Sequence, residues 1–318
     1  MKRNNLKGTL ILGLAALIWG LAFVAQNRIS DSVPTFTVNA CRSFIAAVFL
    51  YIFWKITNYK TKTPFIPKDK KGRKEYLSAS LVCGGCLAVA MNLQQFGISM
   101  YPKNAPAEAH AGFLTVLYVI LVPLFSVFLK KKIKLPVWVG GLLATAGIYM
   151  LCLSGGLNKF YFGDIVIFGC AIAFAFQILA VDKYVCFTGG VKLSILQFLV
   201  VGVISLLCAA VFDFKTLELS LLIKSVLPIL YLGVMSSGIA YTLQIVGQKY
   251  AEPAVASITM SFESVFAVLG GAVFSGAVLT KNEIFGCIIM FAAIITAQIP
   301  EFTKTEHKII LSKNHLIF

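Results

Sequence analysis

The chain has 318 residues, 58% of them hydrophobic and only 13% charged, against about 45–50% and about 25% in a soluble domain. So few charges cannot cover a water-soluble body of this size, and no single core needs so much apolar surface. A soluble enzyme, a disordered chain and a secreted disulfide scaffold are excluded; the composition is that of an integral membrane protein.

A helix crosses the ~30 Å hydrocarbon layer with about 20 apolar residues, and ten such runs follow one another along the chain. They cover residues 8–26, 33–54, 76–100, 107–129, 136–154, 162–181, 193–212, 225–247, 253–275 and 282–300. Long runs without period-2 alternation read as helices, which satisfy their own backbone groups in lipid, and not as barrel strands. The charges inside them are Arg42, Glu108, Asp164, Glu263 and Glu283, and only Arg42 and Glu263 stand away from a run's edge.

The formal charge of +15 is a topology signal and does not point to nucleic acid. Lys2, Arg3 and Lys7 precede the first run. Lys55, Lys60, Lys62, Lys68, Lys70, Lys71, Arg73 and Lys74 separate the second from the third, and Lys130, Lys131, Lys132 and Lys134 the fourth from the fifth. The alternate loops hold only Arg28, Lys103 and Lys159. That asymmetry places the N-terminus in the cytoplasm, and ten spans return the C-terminus there. The second half is less biased, with Lys183, Lys192, Lys249, Lys304, Lys308 and Lys313 inside against Lys215, Lys224 and Lys281 outside. Anionic lipid is the expected electrostatic partner. The opening MKRNNLK and its apolar run resemble a signal peptide, but bulky Phe23 would occupy the −3 position of a cut after Ala25, so an uncleaved first helix is expected. No Arg-rich transit segment is present, and a bacterial or archaeal cytoplasmic membrane is the expected address.

Seven of the eight cysteines lie within the runs, where they act as small apolar residues. Cys83-Gly-Gly-Cys86 has the spacing of half a zinc site, yet it lacks a second pair and a nearby His, so it reads as helix packing by small residues. No metal or cofactor is expected.

The chain repeats itself. Residues 8–28 (GTLILGLAALIWGLAFVAQNR) lie without gaps on 163–183 (GDIVIFGCAIAFAFQILAVDK), Trp19 on Phe174. MNLQQFG (91–97) matches YTLQIVG (241–247), and the fourth and fifth spans match the ninth and tenth, Gly140 on Gly286. Five spans map onto five. An odd number per copy makes the second copy enter from the opposite side, the inverted repeat of secondary transporters, whose sites lie at mid-membrane between the halves.

These residues resemble a known family. LQIVGQKYAEPAVASITMSFESVFAVLGGAVFSGAVLTKNEIFG (243–286) is similar to the second-half signature of EamA-like proteins of the drug/metabolite transporter superfamily. IWGLAFV (18–24), Arg42 and GFLTVLYVILVPLFSVFLKKK (112–132) are similar to its first-half motifs. The resemblance covers about residues 8 to 300 and implies an all-α polytopic fold of ten transmembrane helices in two inverted five-helix repeats, 1–155 and 156–300, with a cytoplasmic tail at 301–318. It implies export or uptake of small metabolites, with export the expected direction. The pathway would run between the first, third, fourth, sixth, eighth and ninth helices, with the fifth and tenth outside. Two departures stand out: the family's ninth-helix Glu-Pro is Glu263-Ser264 here, and the matching fourth-helix position is Leu117, so a glutamate-dependent mechanism has one half to work with.

Polar residues in the spans carry whatever chemistry there is, because lipid exposure of such groups is costly. Ser237, Tyr241, Gln244 and Gln248 share one helical face, as do Asn92, Gln95 and Ser99; Trp19, Phe23 and Gln26; and Glu108, Gly112, Thr115 and Tyr118. Trp19, Asn92, Gln95, Thr115, Tyr118, Tyr241, Gln244 and Gln248 are the expected substrate pathway. Arg42 and Glu263 are coupling charges or a structural pair. Gln177 and Gln197 read as packing amides, His110 as a solvated partner of Glu108, and Pro123 and Pro228 as bends. Neither a His-Glu-x-x-His motif nor a phosphate-cradling loop is present, which disfavours a polytopic enzyme and direct ATP drive. The expected function is a secondary transporter working by alternating access, on a small organic solute such as an amino acid or a xenobiotic; the alternative is a polytopic membrane enzyme or a channel or receptor without transport coupling. The bilayer is its other partner, nucleic acid is not one, and homo-oligomerisation is left open.

The charge asymmetry generates a direct test. A cysteine at Lys70 is expected to resist an impermeant thiol reagent in intact cells, and one at Lys103 to react, once the native cysteines are shown to be silent. The reverse pattern would invert the topology.

Overall fold

The computed structural model describes residues 5–30, 33–60, 63–102, 107–152, 160–275 and 279–314. The described chain is helical: α1 (Asn5–Ser30), α2 (Thr35–Thr57), α3 (Lys70–Ser99), α4 (Ala107–Val116), α5 (Tyr118–Phe128), α6 (Leu135–Cys152), α7 (Phe162–Thr188), α8 (Gly190–Phe212), α9 (Leu219–Lys224) and α10 (Val226–Tyr231) come first. A π-helical segment (Leu232–Ala240), α11 (Tyr241–Gln248), α12 (Pro253–Met260), α13 (Glu263–Ser275) and α14 (Lys281–Asn314) complete it. Among the described residues nine helical stretches are long and apolar enough to cross a membrane, and the shorter Leu6–Ala22 adds the first span. The fold is an all-helical, ten-span membrane protein.

Contacts between helices follow the inverted repeat. The fifth span (α6) packs on the tenth (α14), and the second (α2) on the seventh (α8). The third (α3) meets the sixth (α7), as the eighth (α11) meets the first (α1); the first also meets the ninth (α12, α13), as the sixth meets the fourth (α4, α5). Every one of these pairings is its own image, or has an image, when the halves are exchanged.

Glycine sets the tightest crossings. A Cβ on Gly97 would stand 2.5 Å from Ile167 Cγ1 and 3.3 Å from the Gly163 carbonyl oxygen; one on Gly163 would stand 2.7 Å from the Gly97 carbonyl oxygen. The exchanged pair repeats this, with a Cβ on Gly247 3.3 Å from the Gly8 carbonyl oxygen and one on Gly8 3.0 Å from that of Gly247. Close backbone approach through small residues is the usual glue of helices in lipid, where no hydrophobic effect drives them together.

Four features depart from the sequence reading. Helix α3 begins six residues early because Asp69 caps it, its carboxylate accepting from the Gly72 N–H at 2.7 Å. Helix α14 continues beyond residue 300 to Asn314. Pro228 sits in the first turn of α10, where its missing N–H removes no helical bond. The fourth and ninth spans are interrupted at matching places, Leu117 and Ser261-Phe262, with α5 starting at Tyr118 and α13 at Glu263. There the ladder tightens to i→i−3 bonds: Leu117 N to Leu114 O, 3.2 Å, and Phe262 N to Thr259 O, 3.3 Å. The interruption in the fourth span is thus not at Pro123, which lies inside α5.

Gly97→Val is expected to lower the unfolding temperature in detergent clearly, since overpacking costs about 1–3 kcal/mol. Gly85→Val is expected to be close to silent, because a Cβ there meets nothing within 4 Å. Equal effects would show that the crossings tolerate bulk.

Candidate functional site

A cavity of about 80 Å³ opens between the halves, room for about five to eight waters at 10–15 Å³ each. Trp19 and Ala22 of α1, Thr115 and Tyr118 beside the fourth-span interruption, Phe174 and Ile178 of α7, and Met260 and Glu263 beside the ninth-span interruption border it. Most of these lie near the midpoints of their spans. The second span contributes Asn39 and Arg42, the third Met91, Gln94 and Gln95, and the eighth Ser236, Tyr241 and Gln244. Among the described residues the fifth, seventh and tenth spans contribute nothing to this lining.

The walls are aromatic. Tyr241 meets Trp19 edge-on at 4.8 Å between centroids and Phe198 at 5.3 Å, and Tyr118 meets Phe174 at 6.3 Å. The Trp19 Nε1–H donates to the Ser236 carbonyl at 3.2 Å, locking its ring. That carbonyl belongs to the π-helical segment, whose glycines allow α2 to come near: a Cβ on Gly233 would stand 2.5 Å from Ile45 Cγ2. Such segments occur often at functional sites.

Arg42 and Glu263 face the same cavity but are not an ion pair. Arg42 is 5% exposed; its Nε donates to Ser237 Oγ at 2.8 Å and its Nη2 to Ser236 Oγ at 3.2 Å. Both partners are neutral, and Nη1 makes no hydrogen bond among the described residues. The Glu263 carboxylate likewise has no hydrogen-bond or ionic partner among them. It sits at the first turn of α13, where the positive end of the helix dipole favours a carboxylate by about 0.3–1 kcal/mol.

The structure brings Trp19, Gln95, Thr115, Tyr118, Tyr241 and Gln244 to one cavity with both charges. Asn92 and Gln248 do not join them. Asn92 is held by Asn39 and Ser205, and Gln248 donates to the Ile178 carbonyl at 2.9 Å. Ser99 is exposed at the end of α3, its hydroxyl donating to the Phe96 carbonyl. The side chains of Phe23, Gln26 and Glu108 lie outside the described residues. Asn39, Gln94, Phe174 and Ser236 were not anticipated. Two signals existed, since Phe174 is the repeat partner of Trp19 and Gln94 that of Gln244. No group of three His, Cys, Asp or Glu side chains that could hold a metal occurs among the described residues.

His110, expected to be solvated, is 2% exposed. Its Nδ1 lies 3.0 Å from Asp164 Oδ1, which also accepts from the Tyr101 hydroxyl, under a cover formed by Tyr101 and Tyr161. Burial and the Asp164 carboxylate raise the Tyr101 phenol above its usual range. At the other end of the same seam Lys131 Nζ donates to Asp182 Oδ2 at 2.8 Å. The fourth and sixth spans are therefore clasped at both ends.

Two inverted five-helix repeats around a polar, aromatic-walled central cavity define a membrane transporter class. The EamA-like transporter family matches residues 6–153 and again 161–297, and the chain belongs to that family. It is similar to an uncharacterized transporter of Archaeoglobus fulgidus, 28% identical over 302 residues, 93% of this chain and 87% of that protein. It is also similar to the uncharacterized inner membrane transporter YedA of Escherichia coli K12, 25% identical over 284 residues, 88% of this chain and 87% of that one. A crystal structure with a TM-score of 0.75 and 19% identity covers 91% of this chain and 96% of its own, showing the shared fold.

The hydroxyl ligation of Arg42 is testable. Ser237→Ala is expected to cost about 1–3 kcal/mol by leaving a buried donor unmatched, while Glu263→Gln leaves the unfolding temperature little changed. A large loss in Glu263→Gln that Arg42→Gln reverses would establish an ion pair instead.

Proposed function

We propose that the protein is a secondary transporter that moves small organic metabolites, amino acids or xenobiotics with an apolar part, across the cytoplasmic membrane by alternating access. The observation that carries this reading is the placement of the cavity: it lies between two inverted repeats and is bordered by both interrupted helices. An interrupted helix has fewer α-type bonds to break when its ends tilt, so the two matching interruptions suit a rocking motion about a fixed site. The aromatic walls suit the apolar part of a solute, and the amides and charges its polar part. Export is the proposed direction, both termini are proposed to be cytoplasmic, and 1–155 and 156–300 are the proposed moving units, with 301–318 as a tail.

Glu263 is the proposed coupling group. A mid-membrane carboxylate without a cation partner is costly when ionised, so it gains or loses a proton as its surroundings open and close. In proteoliposomes, with a substrate first selected by thermal-shift screening against a metabolite library, Glu263→Gln is expected to abolish accumulation driven by a pH gradient. Exchange of substrate down its own gradient is expected to persist. Undiminished pH-driven accumulation would remove Glu263 from coupling, and absence of substrate flux in the wild type would overturn the transport reading itself.

A further inference from the structure

The hydrogen-bonding polarity of the cavity wall is set from behind. Gln248 donates through Nε2 to the Ile178 backbone carbonyl at 2.9 Å. A carbonyl can only accept, so the Gln248 amide has one orientation and turns Oε1 toward Gln244. Gln244 must therefore offer its Nε2, which donates to Gln248 Oε1 at 3.3 Å and to Gln177 Oε1 at 3.0 Å. Gln177 in turn donates to Gln197 Oε1 at 3.4 Å. Both protons of the Gln244 amide are engaged, and its Oε1, on a residue that borders the cavity, is buried with no hydrogen-bond partner among the described residues.

The first half does the same with a different residue. Asn39 Nδ2 donates to the Met91 backbone carbonyl and to Asn92 Oδ1, each at 3.3 Å. Its Oδ1 makes no hydrogen bond among the described residues, and Asn39 borders the same cavity. Two amides, one from each repeat, are thus anchored so that they present oxygen. The Glu263 carboxylate, which also has no partner among the described residues, is a third acceptor on this lining.

We propose that Asn39 and Gln244 determine specificity: they admit a solute through a protonated primary or secondary amine and discriminate against solutes without an N–H donor. This deepens the transport reading and rests on it. An ammonium supplies two or three donors to three waiting oxygens and a positive charge beside Glu263. The faces of Trp19, Tyr118 and Tyr241 attract a cation as well. Aromatic attraction alone would accept a quaternary ammonium equally; the anchored amides would not, because a methylated nitrogen leaves their oxygens desolvated and unpaired. Gln248 is a positioning residue that acts only through Gln244, and the free Nη1 of Arg42 serves an acceptor elsewhere on the solute.

The test uses the full-length protein in nanodiscs and proteoliposomes, with small primary ammonium solutes each paired with its N-trimethyl counterpart, which keeps the charge and loses every donor. Donor-free neutral and anionic solutes complete the panel. Thermal stabilisation and flux are expected from ammonium members, with the trimethyl counterparts weaker by about tenfold or more, the effect of an unmade hydrogen bond to a buried acceptor. Gln248→Leu is expected to shrink that preference while binding persists, because Gln244 is then free to turn. Gln248→Glu is expected to restore it, since a protonated carboxyl donates to Ile178 and accepts from Gln244. If Gln248→Leu does not fold, Gln244→Leu and Asn39→Leu give the same readout. Equal binding of the trimethyl members, recognition of donor-free solutes instead, or an unchanged preference in Gln248→Leu would overturn the proposal while leaving transport standing. Flux of no solute of any class would overturn both.

Discussion

One contact, used twice, positions everything at the centre of the molecule. Gly97 against Gly163 and Gly8 against Gly247 bring two pairs of helices to backbone contact, and the two crossings exchange when the halves are exchanged. Lipid offers no hydrophobic reward for joining two apolar helices, so close van der Waals approach must supply it. Residues that allow that approach have no side chain, and this fixes register as well as distance. The central cavity sits between these crossings, at the level where the fourth and ninth spans interrupt their ladders.

Polar groups inside the bundle are then handled by local matching. Arg42 is held by two serine hydroxyls of the π-helical segment. The wide turn of that segment places Ser236 and Ser237 side by side toward α2 while Ser236 also offers its carbonyl to Trp19. A guanidinium held by neutral oxygens keeps its full charge in the site. Had a carboxylate held it, the cavity would contain a closed pair and little to offer a solute.

Much of this architecture could be read in the amino-acid order, for physical reasons. Twenty-residue apolar runs have one structural solution in lipid, and Gly8, Gly97, Gly163 and Gly247 betray the repeat because no other residue fits their crossings. The interruptions could not be read. Leu117 and Ser261-Phe262 carry none of the usual breakers, and Pro123, a real breaker, lies six residues from the first of them inside α5. Helical spacing also gave faces without saying which member of a face finds a partner. Gln244 and Gln248 share one stripe, yet one borders the cavity and the other is turned to a carbonyl of α7. Asn39 was invisible for the converse reason, since nothing in its neighbourhood forms a stripe and only the fold brings it to Met91. His110 was misjudged because the buried aspartate that holds it lies 54 residues further along the chain.

The two seams related by the repeat are not chemically alike. The fourth and sixth spans are joined by His110–Asp164 at one end and Lys131–Asp182 at the other. On the exchanged seam the positions of the two aspartates are occupied by Thr9 and Asn27, and those of His110 and Lys131 by Ala256 and Ala277. Two identical halves would make the opposite-facing states of such a bundle interchangeable by two-fold rotation, with equal free energy. Charged groups at these positions on one seam, with neutral residues at the matching positions of the other, cancel that degeneracy. Under the proposed alternating access, the resting dwell times on the two sides of the membrane become a property written into the protein itself, before any ion gradient acts on it.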